Sequence, residues 1–194
     1  MAIRIVAIPG SVRPGNYTAK ALDLVMDEFT KHPEIEAERI ELEALELPPP
    51  GLRPDAPGPK ALREKVGAAT GVVFATPEYH GSFSSVLKLA IENLGFPSVL
   101  AGKPVALLGV AAGQIGAIKS LEHLRSVCSH VGAIVLPGPV SVANVQKVFD
   151  ADGRILDPVA EKRIRSVATN LIGYIESNIC PRFALEALVR EAAE

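Results

Sequence analysis

The sequence predicts an α/β protein built on a parallel sheet with helices packed on both faces. Three observations carry that expectation. Short runs rich in Val, Ile and Leu recur with helix-length stretches between them. Most of those runs are apolar almost throughout, as strands buried on both faces must be. And 194 residues with 48% hydrophobic side chains suffice for one sizeable core, so residues 1–194 are expected to form a single domain.

The strands read as IRIVAIP, IEAERIEL, GVVFAT, PVALLGV and GAIVLP. In the second, Glu36, Glu38 and Glu41 alternate with Ile35, Ala37 and Ile40, which predicts an edge strand. Apolar spacing of three and four predicts helices over about 15–32, 59–69, 83–94, 114–130 and 157–178. Residues 47–59, LPPPGLRPDAPGP, are too rich in Pro and Gly for either element and predict a loop over the sheet rim. Residues 137–153 replace a short connection after the fifth strand. Their DADGR lacks the later ligands of a calcium loop and predicts an Asp-Gly turn. The segment 181–194 predicts an extra amphipathic helix with Phe183, Leu185, Leu188 and Val189 on its apolar side.

A formal net charge of −2 with scattered Lys and Arg argues against nucleic acid as a partner. No stretch has the uninterrupted apolar length of a membrane span, and MAIRIVAIPG is too short an apolar run for a secretory signal, so the cytoplasm is the expected location. Cys128 and Cys180 have no metal or disulfide spacing and are expected to be free thiols. His123, Cys128 and His130 share one predicted helix, but the H-x4-C spacing turns Cys128 away from His123, and His130, seven residues on, is too far for one ion, so a structural role is expected and no metal site.

In an open parallel sheet, ligands bind beyond the carboxyl ends of the strands, where the strand order reverses. After the first strand, PGSVRPGNYTAK combines Ser11, Asn16 and Thr18 as side-chain donors with the cation Arg13 and a helix N-terminus, a set suited to phosphate. An ordinary capped helix with a solvated arginine uses the same residues. Neither GxxxxGK[ST] nor GxGxxG is present, which weighs against ATP or a standard dinucleotide site. After the third strand, TPEYHGS places Pro77 and Gly81 where backbone amides would face a planar polar edge. Glu78 and His80 are given no proton-transfer role. After the fourth strand, GVAAGQIGA is small enough to admit a flat ring or close packing.

GSVRPGNYTAKAL and PEYHGSFSSVLKLAIENL resemble the phosphate loop and the PEYNGS-type segment of the NADPH-dependent FMN reductase family, in the expected order and on the expected elements. The resemblance implies a flavodoxin-like three-layer sandwich with a five-stranded parallel sheet in order 2-1-3-4-5. It implies non-covalent FMN, NADPH or NADH as electron donor, and assembly as a homodimer or homotetramer. By the same resemblance Ser11, Arg13, Asn16, Tyr17 and Thr18 hold the FMN phosphate. Pro77, Glu78, Tyr79, His80, Gly81 and Ser82 line the isoalloxazine, and Ala112, Gly113, Gln114 and Gly116 approach it from the third loop. His80 stands where the family usually has Asn, Ser84-Ser85 where it has Pro-Gly, and Leu89 where it has Asn.

The implied function is an oxidoreductase passing hydride from NADPH through FMN to a small-molecule acceptor such as a flavin, quinone or azo compound, by a ping-pong cycle. The alternatives are a flavodoxin-type electron carrier and a flavin-binding redox sensor. A carrier is typically strongly acidic with aromatic side chains on both flavin faces. This chain is nearly neutral, has no Trp and has no aromatic residue in VAAGQIGA.

Overall fold

The computed structural model of the chain describes residues 3–191. Its sheet follows the order β2-β1-β3-β4-β5, and every pairing is parallel. The strands are β1 (Ile3–Pro9), β2 (Ile35–Arg39), β3 (Gly71–Pro77), β4 (Pro104–Val110), β5 (Ile134–Val135) and β6 (Val140–Val142). Successive side chains of β1 alternate between the two faces of the sheet. Ile3, Ile5 and Ala7 join one buried cluster with α1 (Tyr17–Phe29) and α6 (Pro158–Tyr174). Val6 and Ile8 join the other with α2 (Pro57–Ala68), α3 (Ser85–Glu92) and α4 (Ile118–His130). That is the three-layer, flavodoxin-like arrangement, with the glutamate-bearing β2 at an edge.

The sheet has six strands where five are expected, because the fifth is interrupted. Ile134 and Val135 pair with Pro104 and Val105, and Val140–Val142 pair with Leu108–Val110 further along the same neighbour. Between them lie Pro137, Gly138 and Pro139, all exposed. The two prolines have no N–H for the ladder, so pairing stops and resumes beyond them.

Other boundaries move for similarly local reasons. β2 ends at Arg39, and a 3₁₀ turn over Leu42–Leu45 buries Leu42 instead of extending the strand. The helix after β3 starts at Ser85, since Ser84 Oγ accepts the Leu87 amide at 3.2 Å as its cap. α2 starts inside the Pro-rich segment, at Pro57, the first-turn position where a missing N–H costs nothing. The rest of that segment is tied down by Asn93 Nδ2 donating to Pro48 O (3.0 Å) and by Arg63 donating to Pro54 O (2.8 Å).

After β6 the short α5 (Val145–Val148) leads to the expected turn, where Gly153 N donates to Asp150 O at 3.2 Å and Phe149 bridges Ile155. α6 continues through a π turn (Ile175–Ile179) into α7 (Cys180–Glu191), with Cys180 N bonded to Ile175 O. The widened turn lies directly before Pro181, which cannot donate to the preceding turn. Phe183, Leu185, Leu188 and Val189 of α7 are exposed; 192–194, the end of the expected helix, lie outside the described residues. Among the described residues no helix is long and apolar enough to cross a membrane.

Candidate active site

The loops after β1, β3 and β4 lie side by side at the carboxyl ends of adjacent strands, with the strand order reversing between β1 and β3. Gly10 N donates to Ala75 O at 2.7 Å and Glu78 N to Val110 O at 3.0 Å, so each loop begins hydrogen-bonded to the neighbouring strand. A Cβ on Gly10 would lie 2.9 Å from Ser84 Oγ, which shows how closely the first loop presses on the chain entering α3.

Ser11 is 7% exposed, and its Oγ has no partner among the described residues. A buried hydroxyl left in that state costs about 1–3 kcal/mol, so an external polar group is required to complete it. Arg13 is exposed and has no ion-pair partner among the described residues. Gly15, at φ +64°, turns the chain into α1. Asn16 caps that helix: its Oδ1 accepts the Ala19 amide at 2.8 Å and its Nδ2 donates to Arg13 O at 2.6 Å. One N–H of the Asn16 amide is used on Arg13 O, so the groups left for an anion are its second N–H, Ser11, Arg13 and the first-turn amides of Tyr17 and Thr18. Thr18 is buried, and the Tyr17 ring leans towards Phe149 with Lys20 Nζ 5.0 Å from its centre.

After β3 the backbone makes a tight reversal. Tyr79 and Ser82 exchange both main-chain hydrogen bonds, at 3.0 and 3.1 Å, and the two residues between them have φ +51° (His80) and +73° (Gly81). Both central residues being left-handed defines a type I′ hairpin turn, for which Asn-Gly is the preferred pair and His one of the few tolerable substitutes. The turn leaves the amides of His80 and Gly81 without a partner among the described residues. Pro77 is buried at the end of β3, while Tyr79 and His80 are exposed.

Helix α4 holds this turn from the side. The Glu78 carboxylate accepts the Ser120 amide at 3.1 Å, His123 Nδ1 lies 3.1 Å from Ser82 Oγ, and the Lys119 stem passes beside Gly81. Glu78 thus caps the helix that follows β4, not the one that follows its own turn. His123, read from the sequence as structural, touches a residue of the candidate site. Sequence spacing carries no trace of this, since the partners lie 41 positions apart.

The third loop is equally fixed. Gly113 O accepts amides from Gly116 (3.2 Å) and Asn144 (3.1 Å), Ala112 O accepts Gln146 Nε2 (3.1 Å), and Ala117 N donates to Ser141 Oγ (2.8 Å). Ala112, Gly113 and Gln114 are exposed, and no atom lies within 4 Å of where a Gly113 Cβ would stand. Gly116, at φ +79°, is buried under Ser141.

No group of His, Cys, Asp and Glu suited to a metal ion occurs among the described residues. Cys128 is buried and its thiol is pushed up to about 12, so it stays protonated and inert. An incomplete anion loop beside free amides and a low glycine wall fits a flat, phosphorylated heteroaromatic group.

Residues 3–147 match the family model described as NADPH-dependent FMN reductase. The chain belongs to that family. It is 34% identical to an NAD(P)H-dependent FMN reductase of Pseudomonas aeruginosa over 84% of this chain and 90% of that protein. It is 30% identical to an NADPH:quinone oxidoreductase of Arabidopsis thaliana, covering 87% and 90%. Among solved structures, the flavoenzyme FerB, an NAD(P)H:(acceptor) oxidoreductase from Paracoccus denitrificans, aligns with a TM-score of 0.75 at 24% identity, over 90% of this chain and 98% of that one. As a member of the NADPH-dependent FMN reductase family, the chain is an FMN-dependent NAD(P)H oxidoreductase.

Proposed function

We propose that the three loops form the FMN site and that the enzyme reduces quinones or azo compounds with NADPH or NADH. The observation that carries the placement is the unsatisfied, buried Ser11 hydroxyl at the mouth of a loop ending in a helix N-terminus. Ser11, Arg13 and the amides of Tyr17 and Thr18 hold the phosphate; Asn16 supports them by fixing the loop. The amides of His80 and Gly81, which have no partner among the described residues, would face the polar edge of the ring and stabilise negative charge on it. Ala112, Gly113, Gln114 and Gly116 form the wall opposite, rigid because of its bonds to Ser141, Asn144 and Gln146.

FMN, when bound, would supply the redox chemistry between the nicotinamide and the acceptor. The protein's part is to orient the ring and leave one face open. Residues 111–117 contain no aromatic side chain to cover that face, which favours an enzyme over an electron carrier. One open face stacks one flat partner at a time, so donor and acceptor alternate in a ping-pong cycle. The enzyme acts as a single domain over residues 1–194, as a homodimer or homotetramer in the cytoplasm, with no nucleic-acid or membrane partner.

Anaerobic mixing of the FMN-loaded protein with NADPH, then with NADH, tests the reading. Bleaching of the flavin and parallel double-reciprocal lines with a quinone acceptor are expected. Absence of bleaching with both donors overturns the function, and intersecting lines overturn the ping-pong cycle.

A further inference from the structure

We propose that His123 is a positioning residue of the flavin site, setting through its bond to Ser82 Oγ the direction in which the Ser82 hydroxyl presents its proton to the cofactor. This rests on the reading that FMN lies against the Tyr79–Ser82 turn. Ser82 uses its backbone N–H and C=O on Tyr79, so its hydroxyl is the one polar group it has left for a ligand. That hydroxyl has one proton and two lone pairs. His123 Nδ1 stands 3.1 Å away, on a helix locked to the turn by the Glu78–Ser120 bond.

The consequence follows from counting protons. When Nδ1 carries no proton, the hydroxyl donates to the ring and offers the ligand only lone pairs. When Nδ1 carries one, the ring donates and the hydroxyl proton is released towards the ligand. A flavin edge changes its hydrogen-bonding character between the oxidised and reduced forms, so the proton that His123 holds or withholds at Nδ1 weights the hydroxyl towards one form over the other. Of the charged side chains nearby, the Lys119 stem passes beside Gly81 and Glu78 is already bonded to Ser120; neither is bonded to His123 among the described residues.

The test is titration of oxidised and dithionite-reduced FMN into the wild-type protein and into His123→Leu, His123→Asn, Ser82→Ala and His123→Leu/Ser82→Ala. The ratio of the two dissociation constants is expected to shift about three- to tenfold in His123→Leu and in Ser82→Ala, and no further in the double variant. Asn places an amide where Nδ1 stands and is expected to restore much of the wild-type ratio. A ratio that stays within about twofold of wild type in His123→Leu, or shifts that simply add, overturns the proposal. So does an equal loss of both affinities, the mark of a merely structural contact. If the leucine variant does not fold, Ser82→Ala decides alone, because the same shift is required of it. Gly81→Val separates the two readings. If it leaves FMN binding intact, the cofactor is not at this turn and both readings fall; if it abolishes binding while His123→Leu is silent, the positioning role alone falls.

Discussion

The Glu78 carboxylate receives the Ser120 amide at 3.1 Å, joining the turn after β3 to the start of the helix after β4. One side chain thus caps a helix and anchors the hairpin turn of the candidate site. Glu78→Ala is expected to lower stability by about 1 kcal/mol, the usual cost of a lost cap, and to weaken FMN about fivefold as the turn loosens. Glu78→Gln keeps an acceptor oxygen and should retain most of both. Thermal melting and fluorescence titration of FMN measure the two effects. Equal behaviour of the Ala and Gln variants would show that the carbonyl oxygen does not matter.

Ser11 offers a prediction of opposite signs. Ser11→Ala removes an unsatisfied buried hydroxyl, so the FMN-free protein should melt no lower than wild type. FMN affinity should fall about tenfold, because a contact to a charged phosphate is lost. A drop in the stability of the FMN-free protein would mean that the hydroxyl has a partner within the fold.

Arg13→Ala is expected to weaken FMN about 10- to 100-fold and riboflavin hardly at all, since riboflavin has no phosphate to pair with the guanidinium. Competitive titration of the two flavins checks this. Equal losses would move Arg13 out of the phosphate site.

The I′ turn makes His80 and Gly81 respond differently to substitution. Gly81→Val puts a β-branched residue at φ +73°, costing about 1–2 kcal/mol and abolishing FMN binding. His80→Asn installs the residue that the geometry prefers and should stabilise the protein by about 0.5 kcal/mol. Melting curves of the FMN-free variants should therefore move in opposite directions from wild type.

Arg165 joins α6 to α1: it contacts Asp27 at 2.5 Å, Glu28 at 3.2 Å and Glu161 at 2.9 Å. Its guanidinium holds the Asp27 carboxyl below the usual carboxylate range, and Lys31, with Arg165 behind it, lowers that of Glu28. Carboxyls depressed in the folded state add stability above the ordinary carboxylate range and lose it as pH falls through their folded values. Arg165→Met should thus cost about 1 kcal/mol near neutrality, with the gap to wild type closing below about pH 4. Urea unfolding at several pH values reads this directly; a gap that widens in acid would reverse the assignment.

Strand order could be read from the chain because it rests on a local signal, continuous apolar runs for strands buried on both faces, and the same pattern puts the Gly-bearing loops that carry the candidate site at their carboxyl ends. What escaped depends on partners distant in sequence. Asn16 reads as a donor from the sequence, which does not show that its amide also ties the loop together through Ala19 N and Arg13 O. His123 looks structural until α4 brings it to Ser82. The third loop looks flexible by composition, yet Ser141, Asn144 and Gln146 hold it in place. The split of the fifth strand was in plain view as Pro-Gly-Pro, but only the length of β4 shows that pairing resumes beyond it.

That interruption also provides an engineering handle. Pro137, Gly138 and Pro139 are exposed, no atom lies within 4 Å of a Gly138 side-chain position, and the strands on either side each have their own register on β4. A guest domain spliced in at Gly138 would lengthen a loop, not break a ladder, and longer loops add little closure entropy. β6 and the residues after it would still bring Ser141 and Asn144 to the third loop, so the edge of the sheet is a place where this chain can be fused to a reporter or a scaffold.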